Sequence, residues 1–330
     1  MKRFGDLYER IISIENLQLA DEKARKGKKD TYGVKLHDRN REDNIKRLHE
    51  VLERCEYHTS EYSVFTIREP KEREIYRLPY YPDRIMHHAI MNVLEPIWLG
   101  TMTADTCSCI RDRGIHYAME RMKSYMKDVE GTRYCLKTDI HKFYPSIDHD
   151  IMKFIVRKKI KDARLLKLLD EIIDSAQGLP IGNYLSQYLS NLYLAYIDHR
   201  VKETYKVRYY VRYADDMVFF AKTKAELSSV LEMLRKDLVE IKLELKGNEQ
   251  IFPVAHNKAD RHGRGVDFVG YVFYHEHTMM RKSIKKSFAR KAASLHKNGV
   301  TGKVKKMQLA SWTGWAKWCD SKNLLNKLKT

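Results

Sequence analysis

Apolar residues recur at helical spacing through the first part of the chain. Leu7, Ile11, Ile12 and Leu17 approximate one face and predict a helix from Met1 to about Asp21. A basic loop, RKGKK (Arg25–Lys29), follows. Leu48, Val51, Leu52 and Cys55 then share one side of a predicted amphipathic helix over Asp43–Cys55. Glu61–Ile67 and Glu74–Leu78 read as strands flanking a turn around Pro70. Further helices are predicted over Asp83–Trp98, Asp150–Asp174, Ser186–Glu203 and Lys224–Glu240. Between them lie a short strand, YCLKTD (Tyr134–Asp139), a tight Gly/Pro loop, GLPIG (Gly178–Gly182), and a hairpin over Tyr209–Phe220. Val266–Phe273 reads as a strand. Basic helices carrying Trp312, Trp315 and Trp318 follow Arg281. From Tyr134 onward the order is strand, helix, helix, hairpin, helix, strand, an α+β pattern with helices against an antiparallel sheet.

Charge sharpens this picture. The 330 residues carry a net charge of +18, and a chain this basic usually meets a polyanion, nucleic acid first among them. The distribution favours a phosphate-facing surface over generic solubility, because His277–Cys319 holds eleven Lys and Arg and no Asp or Glu. No apolar run approaches the roughly 20 residues of a membrane span. With no signal-peptide pattern at the N-terminus, the expectation is a cytoplasmic protein. The five cysteines are odd in number and scattered, which argues against a disulfide framework. Cys107 and Cys109 form a lone C-x-C without a second pair, so structural thiols are expected rather than zinc ligands. His87 and His88 have no cysteine or carboxylate at ligand spacing and read as packing residues.

Two places carry candidate chemistry. Asp139 ends a strand. Asp215 and Asp216 sit at the tip of the hydrophobic hairpin RYYVRYADDMVFF (Arg208–Phe220). Adjacent buried carboxylates repel, so the pair needs either an exposed turn or a positive partner. If the two strands are neighbours, three carboxylates converge on one sheet edge and offer oxygen ligands to hard divalent ions. From this stretch alone an Asp-rich hairpin turn is an equally good reading.

At this point the chain resembles the reverse transcriptases. YADD (Tyr213–Asp216) matches their Y-x-D-D box. TDIHKFYPSID (Thr138–Asp148) matches their first catalytic-acid motif, with aromatics four and five positions after the Asp. GLPIGNYLSQ (Gly178–Gln187) is similar to the template- and nucleotide-facing loop, VDFVGY (Val266–Tyr271) to the primer-grip hairpin, and REIYRLPYYPDRIMHHAI (Arg73–Ile90) to the fingers segment. Pro180-Ile181-Gly182 replaces the usual Pro-Gln-Gly, and Ser186-Gln187 replaces Ser-Pro. That pattern, with the closing segment SWTGWAKWCDSKNLLNK (Ser311–Lys327), resembles the reverse transcriptases of diversity-generating retroelements.

The resemblance implies a right-hand polymerase: N-terminal helices and fingers over 1–133, a palm over 134–276 with fingers-side helical elements at about 150–177, and a basic helical thumb over 277–330. It implies two Mg²⁺ ions, replaceable by Mn²⁺, held by Asp139, Asp215, Asp216 and the Ile140 carbonyl. Tyr144 matches the steric gate that excludes a 2′-OH, while Phe143 reads as core. Lys71 and Arg73, with Arg77 as a competitor, match residues that grip the triphosphate. Pro180, Ile181, Gly182 and Gln187 would face the nucleotide. Lys246 approximates a lysine that protonates the leaving pyrophosphate. Phe268, Val269, Gly270 and Tyr271 would form the primer grip.

The implied activity is mutagenic copying of a template-repeat RNA into cDNA, with adenines misread. Ile181 offers shape without hydrogen bonds, which lowers base discrimination; simple loop packing is its plainer reading. The implied partners are template RNA, the RNA/cDNA duplex, dNTPs and an oligomeric basic accessory variability protein, in a bacterial or phage setting. Neither an RNase H nor an endonuclease domain is expected. A retron-type or phage-defence reverse transcriptase is the nearest alternative. A metal-dependent nuclease and a non-catalytic RNA-binding scaffold are rivals from other classes.

Overall fold

The computed structural model describes residues 2–68 and 72–328. Lys71 and the turn expected around Pro70 lie outside the described residues. The chain begins with α1 (Tyr8–Ile12), α2 (Ile14–Ala24), α3 (Tyr32–Asp38) and α4 (Arg41–Glu53), then β1 (Ser63–Ile67) and β2 (Arg73–Arg77). α5 (Ile85–Leu99), α6 (Ile115–Met126), β3 (Tyr134–Thr138), α7 (His149–Arg157), α8 (Ala163–Asp174) and α9 (Tyr184–His199) follow. Next come β4 (Tyr209–Tyr213), β5 (Asp216–Ala221), α10 (Lys224–Glu240), β6 (Gln250–Pro253), β7 (Val266–Phe268), β8 (Tyr271–Phe273) and β9 (Thr278–Met280). α11 (Lys282–Lys297), α12 (Gly302–Ala316) and α13 (Lys322–Leu328) complete the described elements. The fold is α+β, and no described helix is long and apolar enough to cross a membrane.

Caps break two of the expected helices. The Ser13 side chain accepts the Asn16 N–H at 3.2 Å, so the first helix divides into α1 and α2. Asp162 accepts the Leu165 N–H at 3.2 Å and starts α8 separately from α7. The helix expected over Asp83–Trp98 is present, with a helical turn over Tyr80–Arg84 running directly into α5. Asp83 is buried, and its carboxylate accepts from the Tyr57 hydroxyl at 2.8 Å and the Ser60 N–H at 3.0 Å. Val266–Phe273 is two strands, not one: Val269 and Gly270 have φ of 42° and 87° and reverse the chain. A side chain at Gly270 would lie 2.4 Å from the Trp315 ring.

Contacts divide the chain into two compact units. One comprises Met1–Ala104, Ile140–Arg200 and Arg235–Lys246. In it α5, buried on nearly every side, is the hub on which α1, α2 and α9 pack. His87 is fully enclosed there, and His88 stacks on Tyr184 with ring centroids 4.1 Å apart. Burial holds both imidazoles neutral, with pKa values pushed down to about 4 and about 3. Asp21 is fully buried and accepts hydrogen bonds from Arg25, Arg41 and Tyr80. β1 and β2 form an antiparallel ribbon.

The loop Gly178–Gly182 is pinned at both ends in this unit. Leu179 N–H donates to the Tyr144 carbonyl at 2.9 Å, and Tyr76 N–H donates to the Ile181 carbonyl at 2.8 Å. Both closures require glycine: φ is 61° at Gly178 and 124° at Gly182, and an added Cβ would lie 2.4 Å from the Tyr144 carbonyl or 2.6 Å from that of Tyr76.

The second unit comprises Asp105–Asp139, Val201–Leu234 and Gly247–Thr330. Its centre is an antiparallel four-stranded sheet in the order β4-β5-β3-β6. Cys135, Val211, Val218 and Phe220 from this sheet pack with Met119 and Met122 of α6 and with Phe268, Tyr271 and Phe273. Cys107 and Cys135 are buried free thiols, and the five cysteines form no disulfide. β7-β8-β9 make a second sheet. Trp315 packs on Tyr271, Trp318 stacks on His116, and Trp312 lies parallel to Phe288, so all three indoles are packing groups.

Gly178→Ala is expected to destabilise the protein by about 1–3 kcal/mol, the usual cost of strained backbone and overpacking. A urea titration that moves by less than about 0.5 kcal/mol would show that the loop is not held by this contact.

Candidate active site

Register brings the acids together. β3 and β5 pair with Thr138 opposite Met217. Continuing the ladder by one residue sets Asp139 opposite Asp216. Directly opposed residues have Cβ atoms about 5 Å apart on one face of a sheet. β4 and β5 pair with Tyr213 opposite Asp216, which leaves Ala214-Asp215 as a two-residue loop. All three carboxylates therefore lie at one end of one sheet, in one unit.

The turn that carries the acid pair is held on both sides. Ala214 has φ of 55°, a conformation that a non-glycine residue adopts at a cost. Its N–H donates to the Ser108 hydroxyl at 2.9 Å, and its carbonyl accepts from Arg212 Nη1 at 2.9 Å. Arg212 is fully buried. The segment beside it runs parallel to β4: Arg212 N–H donates to the Asp105 carbonyl and Cys107 N–H to the Arg212 carbonyl, both at 2.9 Å. The C-x-C around Ser108 thus buttresses the turn.

The electrostatics are those of crowded anions. Burial pushes the Asp216 carboxyl up to about 6, with the charges of Asp139 and Asp215 adding to the push and Lys137 opposing it. Lys137 Nζ lies 3.4 Å from Asp216 Oδ2. The Asp216 side chain is 31% exposed, yet its Oδ1 is sealed from water and has no hydrogen-bond partner. A sealed, unsatisfied carboxylate oxygen beside two further carboxylates fits a hard divalent cation, which takes oxygen ligands and supplies the missing charge. Among the described residues no three His, Cys, Asp or Glu side chains close into a ready-made cage. Mg²⁺ does not need one, because it keeps waters and takes substrate phosphates alongside one or two carboxylates.

The other expected site residues fall as follows. Phe268, Val269, Gly270 and Tyr271 form the turn of the β7–β8 hairpin in the unit that holds the acids. Ile140, Tyr144, Arg73, Pro180, Ile181, Gly182, Gln187 and Lys246 belong to the other unit. There Tyr144 opens a short 3-10 turn. Its carbonyl anchors the Gly178–Gly182 loop, and its hydroxyl accepts from Ser190 at 3.3 Å. Phe143 is buried beside it. Arg73 is exposed at the start of β2, and Lys246 is exposed just after the bridge between Ile140 and Leu245. Sequence reasoning missed Lys137, Ser108 and Arg212. Lys137 had a signal: it precedes Asp139 by two residues and so shares its face of the strand.

The chain is similar to several known proteins. The family described as Reverse transcriptase (RNA-dependent DNA polymerase) matches residues 69–271. The protein YkfC of Escherichia coli (strain K12) is 26% identical, over 54% of this chain and 58% of its own length. The group II intron-encoded protein LtrA of Lactococcus lactis subsp. cremoris is 23% identical, over 48% of this chain and 28% of its own length. The chain thus spans little more than half of one curated relative and about a quarter of the other. Among solved structures, telomerase from Candida albicans with a TWJ fragment of telomeric RNA aligns at TM-score 0.48 and 10% identity, over 74% of this chain and 52% of that one. Apo telomerase from Candida tropicalis, truncated from its C-terminal domain, aligns at 0.46 and 12%, over 66% and 53%. With the family match covering more than half of its length, the chain belongs to the reverse transcriptase (RNA-dependent DNA polymerase) family.

Proposed function

We propose that this protein is an RNA-directed DNA polymerase of the diversity-generating type, which copies a template-repeat RNA into cDNA with errors concentrated at adenines. The observation that carries the polymerase reading is the placement of Asp139, Asp215 and Asp216 at one sheet end, with Asp216 Oδ1 sealed and unpartnered. The subtype rests on Ile181 and on Ser186-Gln187, where most reverse transcriptases carry Gln and Pro.

The family generally uses divalent ions, typically Mg²⁺. Two such ions would offset charge on the attacking and leaving oxygens during in-line nucleotidyl transfer. Asp139, Asp215 and Asp216 would supply the ligand oxygens, and the Ile140 carbonyl is a further proposed ligand. The Tyr144 ring lies under the sugar and excludes a 2′-OH. Lys71 and Arg73 neutralise the triphosphate, and Lys246 delivers a proton to the departing pyrophosphate. Phe268–Tyr271 seats the primer end. The basic helices α11 and α12 hold the duplex through its phosphates. Fingers over 1–133, palm over 134–276 and thumb over 277–330 complete the proposed division. An oligomeric basic accessory protein is the proposed partner. Ile181 leaves base choice to pairing alone, since an alkyl side chain rejects no mispaired edge by hydrogen bonding.

Primer extension on an adenine-containing RNA template, with Mg²⁺, dNTPs and sequenced products, tests the reading. Asp215→Asn is expected to lose about a hundred- to a thousand-fold in rate, the scale of removing an electrostatic stabiliser. Ile181→Gln is expected to keep synthesis and lower errors opposite adenine. Accurate parental synthesis would leave a polymerase and remove the mutagenic assignment. Loss of strands without synthesis would mean a nuclease.

Metal affinity has a predicted pH dependence. The Asp216 carboxyl is raised, so below about pH 6 it is protonated and a cation must displace the proton. Mn²⁺ affinity is expected to weaken by about ten-fold per pH unit below pH 6 and to level off above it. A flat profile down to pH 4.5 would exclude Asp216 as a ligand.

A further inference from the structure

We infer that Lys137 is a positioning residue that ties the β7–β8 hairpin to the carboxylate cluster and holds a counter-charge on Asp216. This rests on the polymerase reading above. Lys137 projects from β3 two residues before Asp139, on the same face. Its ammonium is 3.4 Å from Asp216 Oδ2 and donates to the Asp267 backbone carbonyl at 2.6 Å. Asp267 lies in β7, next to Phe268. Its carboxylate accepts from Arg281 Nε at 2.7 Å, and the Arg281 N–H donates to the Gly270 carbonyl at 3.0 Å. Arg281 is the residue from which α11 starts. A continuous chain of polar contacts therefore runs from the acid cluster through Lys137 to the hairpin and on to the first basic helix.

The two contacts of Lys137 have opposite consequences. Its charge competes with any cation for Asp216, which weakens metal binding. Its hydrogen bond fixes where the hairpin stands relative to the acids, which favours turnover, because reacting groups held in place need no search. A side chain that merely stabilises the unit would affect both in one direction.

The test is Lys137→Met in the full chain, a near-isosteric change that removes charge and donor together. Mn²⁺ affinity, read by electron paramagnetic resonance without nucleotide or primer, is expected to rise by roughly ten-fold as the competing charge is lost. Amide exchange over residues 267–271 is expected to speed up, and kcat for primer extension to fall by about ten-fold with the KM for dNTP little changed. Lys137→Arg, which keeps both functions, is expected to restore all three readouts. Arg281→Gln separates the two roles: it frees the Asp267 carboxylate, so exchange speeds up while Mn²⁺ affinity stays at the parental value. Lys137→Gln, which also removes the charge, carries the metal readout should Lys137→Met fold poorly. Unchanged or weaker Mn²⁺ binding in Lys137→Met, or unchanged exchange in the hairpin in either variant, would overturn the inference. The metal and exchange readouts remain legible even if the parent copies no RNA, so failure here is distinct from failure of the polymerase reading.

Discussion

Mutual repulsion among three carboxylates at one sheet end is the constraint around which this site is built. Two unit charges about 5 Å apart, at the effective dielectric of a protein surface, repel by about 3 kcal/mol. The antiparallel register brings Asp139 and Asp216 to the same sheet end, and the two-residue hairpin loop adds Asp215. Burial raises the Asp216 carboxyl, and the charges of Asp139 and Asp215 add to that rise. A fold that keeps this arrangement loses stability to it, and a bound divalent cation would offset that loss.

Holding such a cluster takes rigid surroundings. The Ala214 turn is held by Ser108 on one side and by the buried Arg212 on the other, so the acid pair cannot relax by rotating its peptide. The C-x-C segment acts on the turn through Ser108. Its middle residue is the useful one, and Cys107 beside it is a core thiol. Lys137 stands in the sheet where a neutral residue would suit a strand equally well, and its reach to Asp267 links two segments far apart in sequence. In the other unit, Gly178 and Gly182 do for the Ile181 loop what Ser108 and Arg212 do for the acids, by close backbone approach.

Much of this was legible along the chain. Aromatic and β-branched alternation around YADD predicts the hairpin, and β4 and β5 occupy it, with Asp216 starting β5. Lys224–Glu240 is a helix with the expected bounds. What failed was punctuation. Periodicity ran through Ser13 and Asp162, since a capping residue looks like any polar residue on a helix face until its side chain is seen to bond forward. Val266–Phe273 reads as one apolar strand because the reversal rests on Val269, a β-branched residue in a positive-φ position that no turn rule expects. α6 and β6 went unassigned. The first has a mixed Met and Tyr face, and the second is a four-residue strand whose partner is more than a hundred residues earlier. Ser108 and Arg212 left no sequence signal, because their role depends on pairing between distant segments.

The central claim is that the acid cluster is a divalent-cation site. A crystal of the full chain soaked in Mn²⁺ at pH 7.5, examined by anomalous scattering, tests it most directly. The account predicts manganese against Asp139, Asp215 and the sealed Oδ1 of Asp216, with the Lys137 ammonium displaced from that carboxylate. Manganese bound elsewhere, with the Lys137–Asp216 contact intact and the carboxylates empty at saturating metal, would contradict it.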